Sequence, residues 1–419
     1  MIDAAQLYKP ECWASPQKVH QIFSKLRQDS PIYHCRCDGY PDLWHVTRHQ
    51  DLVSIENAAE IFLSSPRMTI NTLSREESVR RVSGGRPYVI KPLNAMDQPE
   101  HRPMREVVQH HFTPGKIKQL KSNVDREAEK SFVRMRELDG MCDFASQIAF
   151  QYPLRVVMPI LGVPKPDYEF LLRLTKQLFS PADPDNKRPN VDLKVDPARD
   201  MKEIHGELYG YFLNLLDLKK RSPSSDLISE IANAMTTVRY MDQDSAIHYC
   251  ILLATAGHDT TSYSLSEAVY QLALNPNVLA RLSDDPQAVS VKIADEAFRL
   301  AAPTRHFIRT ANQKATISGT TFEKGDSIIL WFPSACRDEL VCPDPDQLMI
   351  DRPFQIPQLA FGSGPHICLG RHLARLELIS FLEELGRQVD SVDLVESPKY
   401  TESNFVGGIK SLPIKVKWR

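Results

Sequence analysis

The sequence predicts a mainly α fold with small β-sheets, built as one domain over residues 1–419. Three observations carry this: apolar residues recur at helical spacing through most of the chain, strand-like runs are short and few, and no repeat or linker divides it. The strand-like runs lie near residues 31–48, 315–331 and 405–418, the last including Ser411-Leu412-Pro413-Ile414-Lys415-Val416-Lys417-Trp418.

From the N-terminus, charged Asp3, Lys9, Glu11, Lys18, Lys25 and Arg27 interrupt the apolar residues of the first thirty. Neither a secretory leader nor a membrane anchor fits there, so a cytoplasmic protein is expected. A net charge of −2 gives no global reason for nucleic-acid binding, and eight cysteines without a Cys-x-x-Cys pair suit reduced thiols. The interval Ser64 to Glu100 reads as a loop able to act as a lid. The polar, proline-rich interval Ser180 to Pro197 reads as a mobile loop between helices.

The longest helical pattern starts at Asp242, a suitable N-cap, and runs to Asn275-Pro276, where proline stops it. About thirty residues at roughly 1.5 Å each would cross a whole domain. Its middle, Ala254-Thr255-Ala256-Gly257-His258-Asp259-Thr260-Thr261, is small and polar where packing alone asks for apolar residues. Ala256-Gly257 opens a groove, and the Thr260 hydroxyl can compete for the Ala256 carbonyl four residues earlier. The plain alternative is a surface carboxylate at Asp259 beside a helix-bending Thr260.

Next, Glu296 and Arg299 are three apart on one helix face, a spacing usually found in weak exposed ion pairs. Then comes Phe361-Gly362-Ser363-Gly364-Pro365-His366-Ile367-Cys368-Leu369-Gly370, followed by Leu373, Leu376, Ile379 and Leu382 at helical spacing. Cys368 thus precedes a helix whose free N–H groups and dipole favour a thiolate, a ligand for iron. Gly364 and Gly370 let the backbone turn sharply and approach a flat group. Cys368 alone would read as a small buried residue. A dinucleotide-binding loop would need a glycine where Ile367 stands.

Taken together, Phe361, Gly364, His366, Cys368 and Gly370 resemble the ligand loop of the cytochrome P-450 superfamily. The resemblance implies the single-domain fold of that family, with a long central helix over a haem b whose iron is ligated by Cys368. It places Phe361 near the sulfur. It puts Ala256 and Gly257 beside the haem, with Asp259 and Thr260 delivering protons to bound dioxygen. His101 and Arg105 in His-x-x-x-Arg, Arg309, and His366 become partners of the haem propionates. Glu296 and Arg299 are expected to meet Arg352 in a structural cluster, with Cys336 standing where the family usually has asparagine.

The function implied is a monooxygenase inserting one atom of O2 into a C–H bond. Thr255 to Ser262, Arg309-Thr310-Ala311 and Asn404 to Gly408 are most similar to the bacterial terpineol hydroxylase branch, which implies a small, mostly apolar terpenoid or aromatic substrate. No stretch is left for a flavin or iron–sulfur segment, so electrons are expected from NAD(P)H through a separate reductase and a ferredoxin. Arg371, His372, Arg375, Lys116 and Lys118 are candidates for its cationic docking patch. Arg305 either anchors an acidic substrate or, the favoured reading, snorkels away to a propionate, a loop or solvent. A peroxide-using peroxygenase and a haem-binding sensor or carrier without turnover are the alternatives; an intact Asp259-Thr260 pair favours dioxygen.

Overall fold

The computed structural model describes residues 3–188, 199–352 and 358–419. Helices dominate, as predicted, and small sheets flank them. At the centre, the helix Gln243–Ala256 starts at Asp242, whose carboxylate accepts the Ser245 N–H at 2.8 Å. Ala246, Ile247, Tyr249, Cys250, Ile251 and Ala254 are all buried around its circumference, which is what an interior helix requires.

One continuous helix was expected from Asp242 to Asn275, but the chain forms two segments, Gln243–Ala256 and Asp259–Leu274, joined at Gly257-His258. The joint has a local cause. The hydroxyls of Thr255, Thr260 and Ser262 donate to the carbonyls of Ile251, Ala256 and His258 at 2.8, 3.1 and 2.8 Å, competing with the helical ladder. Proline stops the second segment, as the sequence predicts.

The Asp259–Leu274 helix packs on Pro286–Ala301, which packs on Arg371–Gln388, which in turn meets Lys121–Glu137. Leu265, Val269, Ile293, Ala297, Leu378, Phe381 and Leu382 fill this junction without meaningful exposure. Most of the fold's stability rests on such apolar burial, at about 25 cal/mol for each Å² removed from water.

The largest sheet runs Ile32–Cys35, Leu43–Val46, Ser327–Trp331, His306–Ala311, Phe62–Leu63. Its one parallel pairing joins Leu43–Val46 to Ser327–Trp331. All three intervals predicted to be strand-like contain strands. The strand His306–Ala311 has no apolar run to announce it, because His306 and Arg309 occupy buried positions.

Two loop expectations change. Ser64 to Glu100 contains a helix, Leu73–Val82, capped by Thr72, whose hydroxyl accepts the Arg75 N–H at 3.2 Å. Its surface position removed the apolar periodicity that would have shown it. In the Ser180 to Pro197 interval, Asp183 is buried and tied to Lys410 at 2.7 Å and to the Glu402 N–H at 2.9 Å, so this part is anchored. Positions 189–197 lie outside the described residues. Among the described residues, no helix is long and apolar enough to cross a membrane.

Candidate functional site

The cysteine loop closes on itself: the Cys368 N–H donates to the Phe361 carbonyl at 2.8 Å. Gly364 sits at φ +62°, and a Cβ there would stand 2.4 Å from the Glu56 carbonyl oxygen, so only glycine fits. Gly370 is different. Its φ of −82° is ordinary and a Cβ would meet no protein atom, so the predicted sharp turn is not its role. Instead its N–H and that of Arg371 point at the Cys368 sulfur.

Burial nevertheless pushes the Cys368 thiol up, against those N–H groups and the charges of Arg105 and Arg371. The helix end alone therefore does not produce the thiolate, because desolvation outweighs it; a metal cation on sulfur reverses the balance. Cys368 has accessible surface although protein encloses it, because that surface faces an internal cavity of about 260 Å³.

Phe361 lines this cavity and packs on Phe298, ring centroids 4.7 Å apart. Ala256, Gly257 and Thr260 line it as well. Four more predicted residues meet at the same cavity: His101, Arg105, Arg309 and His366. Arg105 donates to the Ile367 carbonyl at 2.8 Å, the His101 and His366 rings are 4.2 Å apart, and His366 lies 3.1 Å from the Ser64 hydroxyl. Burial, with Arg105 and Arg309 adding to it, lowers His101 to about 4, so its imidazole is neutral at pH 7. Its buried Nε2 has no hydrogen-bond partner.

A larger cavity of about 660 Å³ continues from the first, sharing Asn94, Leu252, Ala256, Thr260, Thr304 and Phe307. Ile90, Leu178, Phe179, Ile251, Phe405 and Val406 give it apolar walls, and Arg67, paired with Glu76, marks its polar side.

Asp259 departs from expectation. It lines neither cavity but is buried against His258, with Oδ1 3.3 Å from Nε2. The other His258 nitrogen, Nδ1, lies 3.0 Å from the Ala254 carbonyl, an acceptor, so Nδ1 must donate. Nε2 and Asp259 Oδ1 make no standard hydrogen bond elsewhere. Burial pushes the Asp259 carboxyl up and the His258 imidazole down, each against the attraction of the other's charge.

Arg305 follows the favoured half of its expectation, turning away from the substrate side toward a loop, where its Nη2 donates to the Thr401 carbonyl at 3.5 Å. It lines neither cavity and does not reach solvent; its guanidinium is buried 4.2 Å from the Trp13 ring centroid. Gly407 makes room for it, since a Cβ there would lie 2.8 Å from Nη2.

The Glu296 cluster forms as expected but inside the protein. Arg299 makes a bidentate pair with Glu296 at 2.8 and 2.9 Å, Arg352 adds contacts at 3.2 and 3.1 Å, and Arg299 also donates to the Cys336 carbonyl at 3.2 Å.

Two carboxylates escaped the sequence reading. Glu56 is buried beside Arg309 at 3.6 Å, on the cavity wall, and burial raises it to about 7 against that charge. Glu377 is fully buried; burial drives it well up, and the nearby Thr261 hydroxyl opposes this, although neither carboxylate oxygen has a partner within hydrogen-bond geometry. A signal existed for Glu377: it interrupts the i, i+4 series Leu373, Phe381 and Leu385 on the buried side of its helix.

A cysteine whose surface faces a cavity walled by the central helix, with two arginines and two imidazoles lining the same cavity, is the donor set of a haem-thiolate protein. The chain belongs to the cytochrome P450 family, which residues 88–388 match. It is 37% identical to Cytochrome P450-terp from a Pseudomonas species, over 97% of this chain and 95% of that one. Linalool 8-monooxygenase of Pseudomonas putida is 26% identical over 99% of each chain. The crystal structure of CYP108D1 from Novosphingobium aromaticivorans matches with a TM-score of 0.90 and 31% identity, covering 100% of both chains.

Membership makes the protein a monooxygenase whose cofactor is haem held through a cysteine thiolate, using O2 and an organic substrate. The residues present fit that group. A cysteine faces a cavity with apolar walls, two arginines and two imidazoles of the kind that acidic propionates need line the same cavity, and the buried His101 Nε2 has no protein partner.

Proposed function

We propose that this chain hydroxylates a small, mostly apolar terpenoid or aromatic compound, taking electrons from NAD(P)H through a ferredoxin reductase and a ferredoxin in the cytoplasm. The observation that carries the reading is the apolar cavity running directly onto the Cys368 slot through Leu252, Ala256, Thr260, Thr304 and Phe307. Arg305, the residue that would have argued for an acidic substrate, is packed away on Trp13.

Bound haem supplies the redox centre at which dioxygen is split, one atom entering a C–H bond and the other leaving as water. In this reading Cys368 is the metal ligand and the Gly370 and Arg371 N–H groups tune its sulfur. Phe361 covers the sulfur side, and Ala256 and Gly257 keep the distal wall low. His101, Arg105, Arg309 and His366 hold the propionates, Gly364 giving the loop its turn.

Thr260 supplies the distal hydroxyl. Its proton is engaged with the Ala256 carbonyl at 3.1 Å, leaving oxygen lone pairs to accept a water or a proton at the cavity wall. Asp259 acts from behind this wall: its carboxyl, 3.3 Å from His258 Nε2, carries a proton to the cavity by rotating past the loosened Gly257-His258 joint.

The electron donor meets the opposite side of the cysteine loop, where Arg105, Arg371 and His372 line an open cleft with Lys116 and Lys118 exposed nearby. Arg375 drops out of this patch, being paired with Asp295 at 2.8 and 2.9 Å. The test is reconstitution with a ferredoxin and its reductase, screening terpenes, aromatic hydrocarbons and their acids. Substrate-dependent NAD(P)H consumption with matching hydroxylated product is expected. Product only with added peroxide, or none with any tight-binding ligand, would overturn the reading.

A further inference from the structure

A second metal-binding constellation lies away from the cysteine slot. The helix His101–Gln109 ends in one tight turn, His110–Phe112, which turns two consecutive imidazoles toward Glu230 on the helix Leu227–Ala234. His110 Nε2 stands 3.3 Å from one Glu230 oxygen and His111 Nε2 stands 2.6 Å from the other. One ligand atom from each of the three residues lies within 4.8 Å of the other two.

Neither approach has the direction of a hydrogen bond, and the His111 Nε2 is buried without a hydrogen-bond partner. Two imidazole nitrogens and a carboxylate turned on one small volume, without hydrogen-bond geometry between them, make a good cation site. Tetrahedral bonds of roughly 2.0–2.2 Å to zinc set ligand atoms about 3.3 Å apart. The His110–Glu230 spacing already matches, and a small side-chain rotation opens the shorter contact.

We propose that His110, His111 and Glu230 bind one divalent transition-metal ion, zinc first, with water in the remaining position on the exposed His110 side. Two imidazoles in a three-ligand set select zinc, nickel or copper over calcium or magnesium, which prefer oxygen. The supporting helix Leu227–Ala234 is held by its own N-cap, the Asp226 carboxylate accepting the Ser229 N–H at 2.8 Å, so Glu230 is presented from a fixed base. The ion would clamp that helix to the one carrying His101 and Arg105. It would also add positive charge beside the cleft that Gln109, Phe112 and Arg371 line.

The experiment is calorimetric titration of zinc chloride into the haem-loaded full-length protein, followed by His111→Ala and Glu230→Gln. One equivalent is expected in the parent. At least tenfold weaker binding is expected in each variant, while the reduced carbon-monoxide spectrum stays that of the parent and so reports an intact fold. No saturable equivalent in the parent, or the same affinity in both variants, would overturn the site. Should His111→Ala lose the haem spectrum, His110→Ala, at the more exposed position, decides by the same criterion.

Discussion

Thr260 and Cys368 line one slot, and their substitutions separate two functions that a loss of activity would confuse. Cys368→Ser is expected to abolish the thiolate spectrum. Thr260→Ala should keep that spectrum and divert electrons to hydrogen peroxide, read as NAD(P)H consumed against product formed; full coupling in Thr260→Ala would remove its role in proton delivery. For the buried pair behind it, Asp259→Asn should slow turnover by about a hundredfold, the low end of a lost general acid–base contribution, with an enlarged solvent isotope effect. Unchanged turnover and isotope effect would leave Asp259 a structural partner of His258. Arg305→Met should leave the ligand profile unaltered, since the guanidinium packs on Trp13 outside both cavities.

The Glu296, Arg299 and Arg352 cluster ties the helix Pro286–Ala301 to the segment leading toward the cysteine loop. Breaking one partner of a buried pair leaves a charge stranded, so Arg299→Ala should cost about 3–5 kcal/mol in urea unfolding. Burial alone would raise the Glu296 carboxyl, but hydrogen bonds and charge from Arg299 and then Arg352 hold it below its ordinary 4.5. A carboxylate lowered in the folded state stabilises above its unfolded value and loses that contribution as pH falls through the folded one. Unfolding midpoints should therefore fall below about pH 4.5, and Glu296→Gln should flatten that slope; an equal slope in the variant would assign acid sensitivity elsewhere.

Legibility followed element type. Asp242 and Pro276 bounded the central helical region correctly, because caps and stops are local chemistry. The break at Gly257-His258 depends on a succession of hydroxyl-to-carbonyl bonds whose combined effect spacing does not reveal. The strand His306–Ala311 was hidden by its buried histidine and arginine, and the direction of the Asp259 side chain was set by His258, a neighbour the motif did not weigh.

At the scale of the whole molecule, the cysteine loop divides two surfaces with different physics. On one side an apolar cavity of about 660 Å³ leads to the slot; on the other, a cleft flanked by cations faces solvent. Charge on that cleft belongs to encounter more than to chemistry. Arg371→Glu should lower the rate at which the proposed ferredoxin reduces the haem several-fold and flatten its dependence on ionic strength, as for a steered association. The same rate and salt dependence as the parent would place the donor elsewhere. The residues that make the slot were readable because thiol, imidazole and guanidinium are few and their spacing is strict. Substrate identity was not, since apolar walls assembled from residues 90, 178, 251, 307 and 405 have no local pattern.

The central claim is that Cys368 holds haem iron as a thiolate despite a burial that favours the thiol. The reduced, carbon-monoxide-bound absorption spectrum of the purified protein tests it most directly. A strongly red-shifted Soret band, lost in Cys368→Ser, is the predicted result. A band typical of histidine ligation, or one that survives Cys368→Ser, would contradict it.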